Sequence, residues 1–497
     1  MFRQDGFWPL SMELLRWSLR DKWTLEQAVE GVLITGAIGS GKTSGPFNYI
    51  LRALLRCECG GLFLCAKKDA ASEYVRLAEL EGRGRDVVVF SIEDKQGFNF
   101  LTYEATRHGV GKGIVENVVL TLMQAHEVVA RKSGHQQGDD FFEGAMKELL
   151  RNCLEVLITA TGKVDLLTIL EMVETLPQSL ADVRMPEGLR ALELLEEAER
   201  IAPERAQDLA LARSYFTKAW PRLADRTRSS IAQTLSVLLD SFVRYPIREL
   251  LSSQTTCTPD DVLAGKIVIV DVPVKEFDHI GKIVGVIWKY CLQRAIERRV
   301  STGGYNADAL RPVFIAVDEA QFWATKWDAQ FQQTARAARG ITVYSSQNLP
   351  NFYAEIGGDP TAKAHVDSLL GNLQTRLACQ NSEPQTNEWY ANSIGKTVKR
   401  RGSQSQTFGG SFAQTSGYAE QMDFDVQPRA FTTLKTGGRA SRYCVEAILT
   451  TKSREFRANK NKRWLRVMFH QSFNSSWWQE LVLSRPFVRI TAPIKGA

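Results

Sequence analysis

The sequence has no apolar run long enough to cross a bilayer. About 18–20 predominantly apolar residues are needed, and the nearest stretch, ELLRNCLEVLITATG, carries Glu148, Arg151, Asn152 and Glu155. A signal peptide is not seen either, because MFRQDGFWPLSMELLRWSLRDKW scatters charges through any would-be apolar region. The expectation is a cytoplasmic protein without a membrane span of its own, or one held at a membrane through a partner. Cysteine is sparse: eight residues, Cys57, Cys59, Cys65, Cys153, Cys257, Cys291, Cys379 and Cys444, of which only Cys57 and Cys59 are close neighbours. With no histidine or second cysteine pair nearby to complete a tetrahedral set, buried free thiols are expected rather than a zinc site. Charge of one sign is also not in excess. A formal net charge of +6 permits a polyanionic partner without arguing for one.

What is present begins at residues 31–46, GVLITGAIGSGKTSGP. Gly36-Ala37-Ile38-Gly39-Ser40-Gly41-Lys42-Thr43 fits the phosphate-loop pattern G-x-x-x-x-G-K-[ST] without a mismatch, and Ser44 follows it. GVLIT upstream reads as a short apolar strand. Downstream, Phe47, Ile50, Leu51, Leu54 and Leu55 share one helical face, with Pro46 in the first turn where a missing N–H is tolerated. Strand, glycine loop and helix aim backbone N–H groups and a positive helix end at phosphates. ATP and Mg²⁺ are therefore the expected ligands, with Gly36, Ala37, Gly39, Ser40, Gly41 and Ser44 in the cradle. Lys42 reaches the β- and γ-phosphates and Thr43 holds the cation.

A magnesium carboxylate belongs at the end of a buried strand. KIVIVDVP ends in Asp271 and PVFIAVDEAQ in Asp318 followed by Glu319. The second is the better site: Asp318 serves the Mg²⁺ water shell and Glu319 polarises an attacking water as general base. Asp271 reads as structural or accessory. The next strand, GITVYSSQ, ends in Gln347, placed to sense the γ-phosphate. Between them, TARAARG puts Arg336 and Arg339 on an expected helix. Either is a candidate finger reaching a neighbouring subunit's site, or a partner for a surface carboxylate or a nucleic-acid phosphate.

Asp318 lies 276 positions after Lys42, far more than one compact domain needs. FFEGAMKELLRNCLEVLI, LLTILEMVETL, LRALELLEEAERI and IAQTLSVLLDSFV all carry helical stripes with no strand alternation, entered through the polar stretch RKSGHQQGDD. The expected fold class is α/β: a P-loop, RecA-like, mainly parallel sheet covered by helices, with an inserted all-α domain. The expected organisation is a helical lead-in over 1–30, a nucleotide-binding domain over 31–137 and 254–470, the all-α insertion over 138–253 and a tail over 471–497. The Ser/Gly/Gln-rich stretch between about Arg401 and Tyr418 is expected to be mobile or hairpin-like.

This order of parts resembles the conjugative coupling ATPases of type IV secretion, the TraG/TraD family within the HerA–FtsK group of motors. The likeness runs from about residue 30 to 440. It rests on the phosphate loop, FNFL (98–101), the insertion opening with DFFEGAMKELL, GKIVIVDVP, Asp318-Glu319, the run from Arg336 to Gln347, and PRAFTTLKTGG (428–438). It implies a hexameric ring with ATP at subunit boundaries and DNA threaded through the centre, and relaxase or secretion-channel proteins as partners. It also implies Glu319 and Asp318 as the hydrolytic pair, Gln347 as sensor, and Arg336 as the closer match to the trans-acting arginine, with Arg339 remaining open. Two departures stand out. The family's two N-terminal membrane helices have no counterpart, and its D-x-K-G segment is replaced by CAKKDAA.

Two basic clusters are candidates for nucleic-acid contact. TKSREFRANKNKRWLR (451–466) holds Arg457, Lys460, Lys462 and Arg463 with Trp464 interleaved, and Lys396, Lys399, Arg400 and Arg401 precede the Ser/Gly-rich stretch. Either is equally read as a face that complements acidic neighbours. Neither contains a base-reading signature, so any binding is expected to be salt-sensitive and sequence-independent. A soluble motor serving protein delivery, mobile-element packaging or defence, and a nucleotide-gated scaffold, are the competing readings; Glu319 beside Asp318 argues against the scaffold.

Overall fold

Four-residue strands such as VLIT and IVIV, apolar on both faces, are expected only where a parallel sheet is covered on both sides. The computed structural model bears this out. It describes residues 6–108, 113–132, 140–252, 254–300, 307–357, 360–407, 413–452, 454–471 and 487–491. Its strands are β1 (Glu13–Arg16), β2 (Lys22–Thr24), β3 (Val32–Thr35), β4 (Gly60–Leu64), β5 (Val87–Phe90), β6 (Ile267–Val270) and β7 (Val313–Val317). They continue with β8 (Gly340–Ser346), β9 (Thr375–Ala378), β10 (Lys396–Thr407), β11 (Ala413–Phe424), β12 (Cys444–Thr451), β13 (Leu465–His470) and β14 (Arg489–Ile490). Nine of them form one mostly parallel sheet, so the fold is α/β.

The chain divides into two compact units. The first comprises residues 1–57, 316–321 and 341–497. Its strand order is β13-β12-β9-β3-β8, followed by the end of β7. β3 runs parallel to β8 and β9, pairing Thr35 with Ser346 and with Ala378, whereas β12 is antiparallel to β9 and β13. The helix Asn48–Arg56 follows the phosphate loop, and Phe47, Ile50, Leu51, Leu54 and Leu55 are all buried, as the stripe predicts.

The expected helical lead-in is corrected. β1 and β2 form an antiparallel hairpin, joined on the far side of β1 by β14 from the expected C-terminal tail; among the described residues of 1–30 only Leu25–Ala28 is α-helical. The hairpin itself closes on a local turn. Ser18 Oγ donates to Asp21 Oδ2 at 2.7 Å and accepts from Asp21 N at 3.0 Å, closing a turn. The turn brings Trp17 and Trp23 to a ring separation of 5.8 Å inside the core. The Ser/Gly-rich stretch extends the antiparallel hairpin β10–β11, with residues 408–412 outside the described ones.

The second unit comprises residues 58–315 and 322–340. Its strands run β7-β4-β6-β5, with β4 and β5 both parallel to β6. Its helices include Ala70–Leu80 and His279–Arg298. From 140 to 251 every regular element among the described residues is helical, the longest being Asp140–Thr161 and Asp225–Val243. Met146, Leu149, Leu150, Cys153, Leu154 and Leu157 of the predicted stripe are buried, while the Phe142 side chain and linker residues 133–139 lie outside the described residues. Among the described residues no helix is long and apolar enough to cross a membrane.

Candidate nucleotide site

The phosphate loop leaves the tip of β3 between two neighbouring strands. Gly36 N donates to Ser346 O at 3.2 Å and Ala37 N to Gln380 O at 2.8 Å, so both β8 and the chain after β9 hold it. Gly41 has φ +82°, and a Cβ there would meet Val445 Cγ2 at 2.5 Å and Thr436 O at 2.9 Å; only glycine fits. The residues after the loop do not enter a regular α-helix at once. Thr43–Phe47 form a π-turn containing Pro46, and the α-helix begins at Asn48. Ser44 Oγ accepts from Gln471 Nε2 at 2.7 Å, a brace from the end of β13.

The first unit gathers five of the expected residues. Thr43 Oγ1 donates to Asp318 Oδ2 at 2.9 Å, and Lys42 Nζ lies 3.5 Å from Glu319 Oε1, with both side chains under 10% exposed. Gln347 Nε2 lies 3.3 and 3.4 Å from the two Glu319 oxygens. Glu319 itself has φ +60°, an uncommon left-handed backbone for a residue with a side chain. Burial pushes the Cys379 thiol, packed against Gly36, up to about 12 despite the opposing charge of Lys42, so it is an inert wall.

The donor set fits a triphosphate with a divalent cation. Ser40 Oγ is buried with no hydrogen-bond partner, at the position in the loop where a phosphate oxygen would satisfy it. Thr43 Oγ1 and Asp318 Oδ2 offer two hard oxygens side by side, the ligand type Mg²⁺ takes.

Sequence reasoning missed several supports. Ser345 Oγ donates to Asp318 Oδ1 at 2.8 Å, Gln321 Nε2 donates to Glu319 Oε2 at 3.1 Å, and Ser346 Oγ donates to Gln321 Oε1 at 2.9 Å. Asn381 Nδ2 donates to Gln347 O at 3.0 Å. The polar tip SSQ on an otherwise apolar strand was the available signal for the two serines.

The arginines and basic clusters divide. Arg339 is 2% exposed, its guanidinium donating to Ala307 O at 3.0 Å and Asp308 Oδ1 at 2.6 Å, so it braces the second unit and is withdrawn as a finger. Arg336 is exposed; both follow the helix Lys326–Thr334 on turns rather than lying within it. Asp271 lies in the second unit and Asp318 in the first. Burial first, then Glu93, Asp94 and Glu276, raise its carboxyl to about 6.

In the C-terminal cluster, Lys452 pairs with Glu30, Arg454 with Glu26, Lys462 with Asp425 and Arg466 with Glu446. Trp464 Nε1 donates to Asp425 Oδ2 at 2.8 Å and its ring packs on the core around Phe431, so it is not a free stacking platform. These charges answer acidic neighbours, the second of the two readings the sequence leaves open. Arg457, Lys460 and Arg463 are exposed. On the hairpin, Lys396 lies over the Phe424 ring, Lys399 is 3.7 Å from Asp423 and Arg400 pairs with Glu420; the Arg401 side chain lies outside the described residues.

No protein-family model matches the sequence, and no curated protein does. Solved structures do. The unbound monoclinic form of the bacterial conjugative coupling protein TrwBdeltaN70 superposes with a TM-score of 0.59 at 12% identity, covering 95% of this chain and 90% of that one. In fold, this chain is similar to TrwB. The TrwB complex with ADP and Mg²⁺ matches with a TM-score of 0.56 at 12% identity, over 95% and 90% of the two chains. TrwB with the non-hydrolysable ATP analogue ADPNP matches at 0.57 and 11%, over 95% and 91%. At this identity TrwB establishes the fold, and the roles of individual residues rest on the geometry above.

Proposed function

We propose that the chain is an ATP-driven motor of the coupling-protein type, working as a hexameric ring that moves DNA, alone or joined to protein, through its centre. The observation that carries this reading is the convergence of Lys42, Thr43, Asp318, Glu319 and Gln347 in one unit, in a fold similar to a protein solved with ADP and Mg²⁺. Gly36, Ala37, Gly39, Ser40, Gly41 and Ser44 line the phosphate cradle, and Lys42 places a point charge on the β- and γ-phosphates. Thr43 and Asp318 would hold Mg²⁺, which when bound would neutralise phosphate charge. Glu319 takes a proton from the attacking water and Gln347 orients it, a share of catalysis worth about 10²–10⁴-fold for a general base.

Arg336 is the trans-acting arginine of this reading, exposed on its turn and aimed at developing phosphoryl charge in a neighbouring site. Residues 138–253 serve as the all-α insertion. Arg457, Lys460 and Arg463 and the hairpin face around Lys396, Lys399, Arg400 and Arg401 are the backbone contacts to nucleic acid. A relaxase or a secretion-channel protein would be the docking partner, met from the cytoplasm.

The test is phosphate release with and without DNA, together with imaging of the ATP-bound protein. Wild type is expected to turn over faster with DNA, Lys42→Ala and Glu319→Gln to lose at least about 10²-fold in turnover, and six-fold rings to form. Turnover indifferent to every nucleic acid, or a monomer under all conditions, would overturn it.

A further inference from the structure

We infer that Gln321 is a positioning residue for Glu319, fixing the carboxylate that the proposed hydrolysis needs and tying it to the tip of β8; the inference rests on that reading of the site. Gln321 is 4% exposed, and a buried primary amide must have both ends satisfied. Here both ends are used by side chains of the site. Its Nε2 donates to Glu319 Oε2 at 3.1 Å, and its Oε1 accepts from Ser346 Oγ at 2.9 Å. The amide orientation follows from this arrangement, since an ionised carboxylate only accepts and must face the N–H₂ end.

The Gln321 contact to the Glu319 carboxylate is shorter than those from Gln347 at 3.3 Å and Lys42 at 3.5 Å. Glu319 sits on a left-handed backbone, and the 3-10 turn Ala320–Phe322 follows it directly, returning the Gln321 side chain to its side. Ser346, the other anchor, gives its main-chain oxygen to Gly36 N at 3.2 Å and immediately precedes Gln347. A shift of the β8 tip therefore reaches Glu319 twice, through the Gln347 side chain and through Ser346 and Gln321. Without Gln321 the carboxylate loses this donor, while Gln347 and Lys42, which the phosphates must recruit, remain beside it. An angstrom of misplacement at a reacting group costs on the order of 10²-fold in rate.

The experiment compares Gln321→Ala, Ser346→Ala, Glu319→Ala and the Gln321→Ala/Glu319→Ala double variant of the full chain. It measures steady-state phosphate release with DNA and the affinity for a fluorescent ATP analogue. Gln321→Ala is expected to lower kcat about 10–100-fold and leave KM and nucleotide affinity within about twofold. Ser346→Ala shows a smaller loss of the same kind. In the Glu319→Ala background, removing Gln321 costs nothing further, because both changes act through one carboxylate.

An unchanged kcat in Gln321→Ala, or the same loss repeated in full without Glu319, overturns the inference. So does a loss of nucleotide affinity equal to the loss of kcat, which marks a core residue. If Gln321→Ala does not fold, Ser346→Ala, which removes only a hydroxyl, decides by its kcat. A wild type that binds MgATP without turnover overturns the functional reading and this inference together; an active wild type with an unaffected Gln321→Ala overturns the inference alone.

Discussion

The hydroxyl of Thr43 donates to Oδ2 of Asp318 at 2.9 Å, although 275 positions of sequence separate them. Ser345 Oγ occupies the other carboxylate oxygen at 2.8 Å. Asp318 is thus held by two hydroxyls, and one of them is the residue a phosphate loop offers to a divalent cation.

That geometry predicts how the site depends on Mg²⁺. Asp318→Asn keeps the shape and removes the charge, so the Mg²⁺ concentration for half-maximal turnover should rise at least about tenfold, a loss of about 1.4 kcal/mol in cation binding. Thr43→Ala should shift it in the same direction. A Mg²⁺ titration of phosphate release checks both, and chelation by EDTA should abolish turnover in all forms.

The Lys42–Glu319 pair predicts a separation of binding from turnover. Glu319→Gln removes the carboxylate that shares Lys42 and the base for water. It should therefore lower kcat about 10²–10⁴-fold, while affinity for an ATP analogue stays the same or tightens. Equilibrium binding and single-turnover hydrolysis of one variant measure the two halves separately.

The parts legible in the sequence were those whose chemistry is local. The loop Gly36–Thr43 fixes its own strand and helix, and apolar runs such as VLIT and VFIAV announce strands buried on both faces. The lead-in was misread because Leu14 and Leu15 are both buried by a strand pair and by β14 at the far end of the chain, pairing that periodicity does not encode. Arg339 could not be told from Arg336 in sequence, since its role depends on Asp308 and Ala307 across a loop. Gln321 and Ser346 escaped notice for the same reason. Each is an ordinary polar residue until the partner is known.

Gly41 predicts a defect that is not chemical. Its φ of +82° and the 2.5 Å approach of a built Cβ to Val445 Cγ2 mean that Gly41→Ala must displace the loop or β12. The expected cost is about 1–3 kcal/mol of stability with nucleotide affinity reduced. Valine at 445 is the other half of the clash, so Val445→Ala should partly restore both in the double variant. Urea unfolding and analogue binding report it.

Asp271 predicts a pH-dependent stability. Its folded carboxyl titrates near 6, raised by burial and by Glu93, Asp94 and Glu276, against about 3.9 for an unperturbed aspartate. The folded state therefore holds the proton more tightly, so stability falls as pH rises from about 4 to 6 and the cost is complete above 6. Asp271→Asn should stabilise the protein at pH 7.5 by about 1 kcal/mol after discounting for partial exposure and have little effect near pH 4. Urea unfolding at the two pH values gives the comparison.

The C-terminal basic cluster makes the sharpest division among neighbouring residues. Lys452 and Lys462 answer Glu30 and Asp425, whereas Lys460 and Arg463 stand exposed and carry no ion pair to a described residue. If DNA passes this surface, each of Lys460→Ala and Arg463→Ala should flatten the dependence of log affinity on log salt by about one, the signature of one lost phosphate contact. Lys452→Ala and Lys462→Ala should leave that slope alone and change stability by under about 1 kcal/mol, as for other exposed pairs. Fluorescence anisotropy with a labelled oligonucleotide over a salt series separates the two sets. Slopes that fall for the paired lysines and not for the exposed ones would place the DNA path elsewhere, and the hairpin face around Arg400 would then be the surface to test.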